Sequence, residues 1–169
     1  MKIRDRIKKL VRVRASELIP NPKNWRVHPE EQQNALRGVL AEVGIADAVL
    51  ARETKDGLQL IDGHLRADID PSLEWPVLVL DVTEEEADKI LATHDPLTMM
   101  AEIDTGVLDE LLSSVKAENE STKQMLANLS TDSGINPPDF QPVGEDEQGR
   151  LDQKAPIVCP NCNSEFVPK

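Results

Sequence analysis

A mixed α/β domain, with short strands in a small mixed sheet interleaved with amphipathic helices, is the fold class this sequence predicts, on three observations. The run "LVRVRASEL" alternates apolar and cationic residues at the period of a half-buried strand. Residues 30–43 place Ala35, Leu36, Val39, Leu40 and Val43 on one helical face and end at Gly44, a residue that readily takes the conformation stopping a helix. Two further apolar runs, "DAVLAR" and "LQLID", flank "ETKDG", whose Asp-Gly pair is a hairpin signal. A chain of 169 residues buries one ordinary core, so these elements are expected to share it.

Taken in order, the first strand leads into "IPNPKNWRVHPE", an extended loop because Pro20 and Pro22 restrict the residues before them, while Pro29 suits a first helical position. After the helix and hairpin, the second hairpin strand runs straight into Gly63; residues 64–70 form a short helix that Pro71 closes. "WPVLVLDV" is a continuous apolar run of strand length, and Thr83 with Glu86 makes a capping box for the helix "EEEADKILATH". Asp95 before Pro96 reads as another cap-and-start pair, giving a short helix "PLTMMAEI". Asp104 starts a third, with Val107, Leu108, Leu111, Leu112 and Val115 on one face, and "STKQMLANL" adds a last turn or two. From residue 130 to residue 156 the composition shifts to Pro, Gly, Asp, Glu and Gln, too poor in apolar groups to order itself. The expected organisation is a basic N-terminal arm (1–9), a compact domain (10–118), a helical extension (119–129), a disordered linker (130–156) and a C-terminal tail (157–169) bearing "CPNC".

Composition narrows the function. No apolar stretch is long enough to span a bilayer and the start lacks the apolar segment of a secretory signal, so no membrane association and a cytoplasmic location are expected. The net charge of -12 hides an asymmetry: residues 1–26 hold nine Lys or Arg against Asp5 and Glu17, a local +7, leaving ten basic and 29 acidic residues, -19, elsewhere. Such an arm suits a phosphate backbone, which makes Lys2, Arg4, Arg6, Lys8 and Lys9 the candidate DNA contacts; it equally suits the solvated face of a strand or helix. With no Tyr, two Trp and two Phe, the base-stacking platforms of single-strand binders are not expected.

The stretch "LQLIDGHLRADID" carries the chief candidate site. At Gly63 the strand can turn sharply, and a helix starting at His64 or Leu65 would turn free backbone N–H groups outward beside the Arg66 guanidinium, an arrangement that cradles an anion and would form a positive pocket in an acidic body. The same residues also fit an ordinary turn with Arg66 paired to Asp68 or Asp70.

The order of elements from Asn21–Pro22 through "LQLIDGHLRADI" to "WPVLVLDVTEEEADKILATHDPLTMMAEID" resembles the ParB/sulfiredoxin-like superfamily over roughly residues 10–118, closest to the ParB N-terminal (ParB-like nuclease) domains of the phage and DNA-methylase-associated type. The family pattern is an N-P…R loop, a helix ending at Gly, a hairpin, G-E-R-R, an apolar strand and an E-N motif; Asn21, Pro22, Arg26, Gly44, Gly63, Arg66 and Asp95 fall in that order. The resemblance implies a compact ParB/sulfiredoxin-like domain, a DNA-related function and a site for CTP or another nucleotide with magnesium. Gly63, His64, Arg66 and Arg26 would face phosphates, and His94 and Asp95 would occupy the E-N positions, with Asp95 a possible magnesium ligand. His64 and Leu65 replace the Glu and first Arg of G-E-R-R, and "THDPL" lacks the second Arg of E-N-x-x-R, so the site departs from the pattern. Sulfiredoxin activity is excluded by the absence of a Cys in the turn.

The expected function is therefore a ParB-like accessory or regulatory protein acting on or beside DNA in a bacterial or phage-infected cell. Two alternatives stand beside it. One is a metal-dependent nuclease using His64, His94 and Asp95. The other is an adaptor that recruits a DNA methylase or phage packaging partner. No helix-turn-helix pattern follows residue 118, so sequence-specific recognition by this chain alone is not expected. Cys159 and Cys162 form one knuckle of a zinc-ribbon type, two thiolates of a tetrahedral site, which a second chain in a homodimer or a histidine such as His28 would complete; a free dithiol is the other reading.

Overall fold

The structure, a computed structural model, describes residues 3–135 and the backbone of two short strands near the C-terminus. The chain divides into two compact units, residues 1–137 and 138–169. In the second, β6 (Ile157–Val158) pairs antiparallel with β7 (Glu165–Phe166). Lys2, residues 136–156 of the expected linker, and Cys159 and Cys162 lie outside the described residues.

The first unit is the expected mixed α/β domain. Its strands are β1 (Ile7–Arg14), β2 (Leu18–Ile19), β3 (Val49–Thr54), β4 (Gly57–Asp62) and β5 (Glu74–Leu80), joined in one sheet of order β1-β5-β3-β4-β2. Pairing is mixed: β1–β5 and β3–β4 are antiparallel, whereas β3–β5 and β2–β4 are parallel. The helices are α1 (Glu30–Val43), α2 (His64–Ile69), α3 (Glu84–Met99), α4 (Thr105–Ser114) and α5 (Glu120–Asp132). Val49, Ala51, Leu60, Trp75, Val77 and Val79 are almost fully buried at the centre of the sheet, with Ala15, Leu18 and Ala67 against them.

Local chemistry explains most boundaries. Lys55 and Asp56 make the two-residue hairpin loop, and Thr54 Oγ1 donates to Gly57 O (2.9 Å). Gly44, at φ 86, stops α1 with its N–H on Leu40 O. Thr83 and Glu86 form the expected reciprocal capping box, and Asp104 Oδ1 caps α4 through Val107 N (3.1 Å).

Four differences from the sequence reading have physical causes. β1 begins at Ile7, inside the expected arm, because β5 offers ladder positions as far as Leu80 and Asp81 N reaches Arg6 O (2.8 Å). No separate helix begins at Pro96: α3 runs through it to Met99, and Thr98 Oγ1 on His94 O and Met100 N on Pro96 O support the backbone around the ring. Val43 is exposed, as are Val107 and Leu111, so the apolar stripe of α4 is not core. Helix α5 reaches Asp132, past residue 130, since Ser133 N still finds Leu129 O (3.0 Å).

Helix α5 is docked on α1 rather than trailing from the domain. Glu42 Oε1 accepts from Glu118 N (3.0 Å) and Asn119 N (2.6 Å), Asn128 Nδ2 donates to Glu31 Oε1 (3.1 Å), and Gly38 lies against Thr122 and Asn119 at the start of α5. A Cβ on Gly38 would fall on Thr122 Oγ1 and within 2.5 Å of Asn119 Oδ1. Ala at this position gains up to about 1 kcal/mol of helix propensity, but overpacking costs about 1 to 3 kcal/mol. Gly38→Ala is therefore expected to lower stability, with the amides of α5 exchanging faster while those of β3 and β5 keep their protection. Hydrogen exchange read alongside urea unfolding checks this, and a variant as stable as wild type would show that α5 shifts at no cost.

Candidate functional site

The turn after β4 is fixed by packing. Gly63 has φ 92, and a Cβ there would lie 2.5 Å from Val49 Cγ1. Only glycine both adopts this left-handed backbone cheaply and leaves room for the buried Val49. The chain then turns directly into α2, whose first residue is His64 and third is Arg66.

His64 is buried, and its Nε2 accepts the backbone N–H of Asn21 (3.1 Å). Accepting at Nε2 requires the neutral imidazole with its proton on Nδ1. Burial pushes the His64 pKa down, against the opposing pull of Asp62 and Asp68. The residue thus ties the N-P loop to the Gly63 turn, and Asn21 in turn caps its own loop through Lys23 N (2.9 Å).

Arg66 is engaged at both terminal nitrogens. Nη1 donates to Ala48 O (2.8 Å) and lies 3.0 Å from Asp47 Oδ2, while Nη2 meets Asp62 Oδ2 (3.3 Å). Neither Asp68 nor Asp70 is its partner; the expected local pairing is replaced by one across the β4–α2 turn and one to the loop before β3. Arg26, from the N-P loop, forms an ion pair with Asp95 of α3 through Nε, and its guanidinium lies 4.9 Å from the centre of the Trp25 ring.

These side chains line one cavity of about 510 Å³, bounded by the N-P loop, α1, the Gly63 turn, α2, α3 and α5. Arg26, Gly63, His64, Arg66, His94 and Asp95 all belong to it. Its charged side chains are Arg26 and Arg66 against Glu31, Asp62 and Asp95, so each guanidinium is matched and one carboxylate is in excess, in place of the positive pocket the sequence suggested. Among the described residues no group of three or more His, Cys, Asp or Glu side chains is placed to hold a metal ion, and Asp95 is occupied by Arg26. Trp25, Asp47, Met125 and Asn128 are site residues that sequence reasoning missed; only tertiary structure brings them to the cavity or, for Asp47, to Arg66.

The candidate DNA contacts lie elsewhere. Glu86 receives Arg6 bidentately, at 2.8 Å and 2.7 Å, and Arg4 at 3.5 Å, while Glu53 receives Lys8 and Lys9. These partners hold the carboxyls of Glu53 and Glu86 at about 2. Among the described residues no helix is long and apolar enough to cross a membrane.

No protein-family model and no curated protein matches this chain. Among solved structures it is similar to the C-terminally truncated chromosome-partitioning protein ParB from Caulobacter crescentus, complexed with CTP-γ-S, at 20% identity and a TM-score of 0.50. The match covers 62% of this chain and 60% of that one, so the chain corresponds to about three fifths of that structure's length. At this identity the likeness establishes a ParB-like fold.

A folded-state His64 pKa below the ordinary value near 6.5 gives a definite sign. Above the unfolded pKa both states are neutral and the stabilisation is complete; as pH falls below it the unfolded chain takes up the proton first, and stability is lost. Urea midpoints should therefore fall between pH 7.5 and pH 5, above the range where Glu53 and Glu86 titrate. His64→Gln, whose amide oxygen can accept from Asn21 N, should flatten that segment of the profile. An unaltered profile in the variant would remove His64 as its source.

Proposed function

We propose that this chain is a DNA-associated accessory or regulatory protein of ParB-like fold whose cavity binds a nucleotide, with the phosphates toward the Gly63–Arg66 turn. What carries the reading is convergence: six residues singled out from three separate segments of sequence line one cavity. Its volume lies in the range of about 300 to 1,000 Å³ typical of small-molecule sites. CTP is the first ligand to try, because the similar ParB structure contains a CTP analogue.

The neutralised lining sets a condition. For Arg66 to meet a phosphate it must loosen its hold on Asp47 and Asp62, and Arg26 must do the same with Asp95. A magnesium ion arriving with the phosphates would offset the released carboxylates, consistent with its usual binding by one or two carboxylates plus phosphate oxygens. Titration calorimetry with CTP and other nucleoside triphosphates, with and without magnesium, tests the reading. CTP is expected to bind best with magnesium. Arg66→Ala should cost at most about 1.5 kcal/mol, the net value of one hydrogen bond exchanged for another, while Arg37→Ala, exposed on α1 and outside the cavity, should change nothing. If Arg66→Ala binds as well as wild type and merely unfolds earlier, Arg66 is an ion-pair residue only.

On DNA, the ion pairs of Arg4, Arg6, Lys8 and Lys9 mean that a phosphate backbone must compete with Glu53 and Glu86, so binding is expected to be weak, salt-sensitive and indifferent to sequence. Deleting the arm would remove part of β1, so the cleaner test replaces Arg4, Lys8 and Lys9 together by Ala. The dependence of log K on log salt should flatten by up to about 0.9 per lost phosphate contact. A slope equal to that of wild type would place any DNA contact elsewhere on the molecule.

A further inference from the structure

The chain has two Trp, two Phe and no Tyr. Trp75 is 1% exposed at the centre of the core, whereas Trp25 lines the cavity and remains 55% exposed. A half-exposed indole contributes little to folding, yet this one is held in place from two sides: Nε1 donates to Leu91 O (3.4 Å), and the Arg26 guanidinium lies over the ring, 4.9 Å from its centre. The cavity beside it is lined by Leu36, Val39, Leu65 and Met125, an apolar surface suited to a flat, weakly hydrated group.

Charge does not supply recognition here by itself. Each lining guanidinium already has a carboxylate partner, and the lining carries three carboxylates to two cations. A bare polyphosphate entering the cavity would exchange one set of ion pairs for another and gain little, because the gain is the difference between two charge-assisted contacts. An aromatic base loses only hydration, and stacking on an indole is favourable whichever base is offered.

We infer that the ligand of this cavity is recognised through a planar base stacked on Trp25, so that the nucleoside moiety, rather than the phosphates, supplies most of the affinity. The inference rests on the nucleotide reading above and adds its determinant. Trp25 is then a contact residue for the ligand, and the Trp25–Arg26–Asp95 arrangement at the rim keeps the ring presented before the ligand arrives.

The test is a titration of the full chain with CTP and magnesium, with cytidine, with the other three nucleosides and their triphosphates, and with inorganic tripolyphosphate, followed by tryptophan fluorescence and calorimetry. Trp75 is buried in the core and serves as the silent reference. Cytidine or another nucleoside should change the emission, and tripolyphosphate should leave it unchanged and bind more weakly than the nucleotide. Trp25→Leu should weaken nucleoside and nucleotide alike by roughly 5- to 150-fold, the range of base–aromatic stacking, and Trp25→Phe should recover most of the loss. Since Trp25 is half-exposed, both variants should unfold near the wild-type temperature, and circular dichroism verifies this. Two results overturn the inference while leaving the nucleotide reading intact: a triphosphate that binds Trp25→Leu as tightly as wild type, or tripolyphosphate that binds as tightly as CTP. Absence of heat and of any emission change with every nucleoside and nucleotide overturns both.

Discussion

The buried Val49 leaves no space beside Gly63. Val49 is fully buried on the central strand β3, opposite Val77 of β5, and its methyl group sits where any side chain at position 63 would go. A non-glycine residue would pay about 1 to 2 kcal/mol for the left-handed backbone and about 1 to 3 kcal/mol for overlap with a close-packed core. With glycine there, β4 lies close against β3 and turns at once into α2, and that turn aims three consecutive features: the imidazole of His64 toward the N-P loop, Leu65 into the cavity, and Arg66 back across Asp62 toward Asp47. The core therefore dictates the site. The glycine that ends an apolar strand beside a histidine and an arginine is first a packing requirement, and only through it a feature of the cavity.

Charge asymmetry along the chain is resolved within the molecule. The basic N-terminal segment lies alongside the acidic body, with Arg6 forked onto Glu86, Lys8 and Lys9 on Glu53, and Lys23 on Glu84 and Asp88. Exposed pairs of this kind contribute about 0 to 1 kcal/mol each, so they do not hold the domain together; the sheet does. What they change is availability. Glu86 serves at once as the acceptor for Thr83 N in the capping box of α3 and as the anchor for Arg6, so the start of α3 and the entry to β1 share one carboxylate. A cationic arm on paper is, in the folded chain, an edge strand and its lead-in with most of their charge matched.

Short-range rules made the hairpin, the capping box, the Gly44 stop and the Asp104 cap legible in the sequence, because each is decided by residues within four positions of one another. The Gly63, Arg66, His94 and Asp95 candidates were legible through the order of motifs, and the cavity unites them. What periodicity could not say is which apolar face finds a partner: α4 has a regular stripe, yet Val107 and Leu111 stay exposed. Nor could spacing reveal the Arg26–Asp95 pair, 69 positions apart in sequence, or the contribution of Met125 and Asn128, which depends on α5 docking against Gly38. Scarcity of aromatics argued against base-stacking platforms of the single-strand kind; it was silent on where Trp25 would stand.

The departure of the turn from the G-E-R-R pattern has a structural counterpart. At the position of the acidic residue in that pattern this chain has His64, which lies buried and accepts the Asn21 amide. Leaving that amide unsatisfied in the interior would cost about 1 to 3 kcal/mol, so the neutral imidazole is what allows the N-P loop to close over the turn. Because Trp25 and Arg26 follow Asn21 by only a few residues, and Arg26 reaches Asp95 on α3, the bond from Asn21 to His64 joins the rim of the cavity to its floor. A carboxylate at position 64 could accept the same N–H but would place a buried negative charge near Asp62; the neutral imidazole satisfies the amide without adding to a lining that already has more carboxylates than cations. His64 thus acts as an inward tether, and through it the N-P loop and the Gly63 turn are held in register as walls of one cavity.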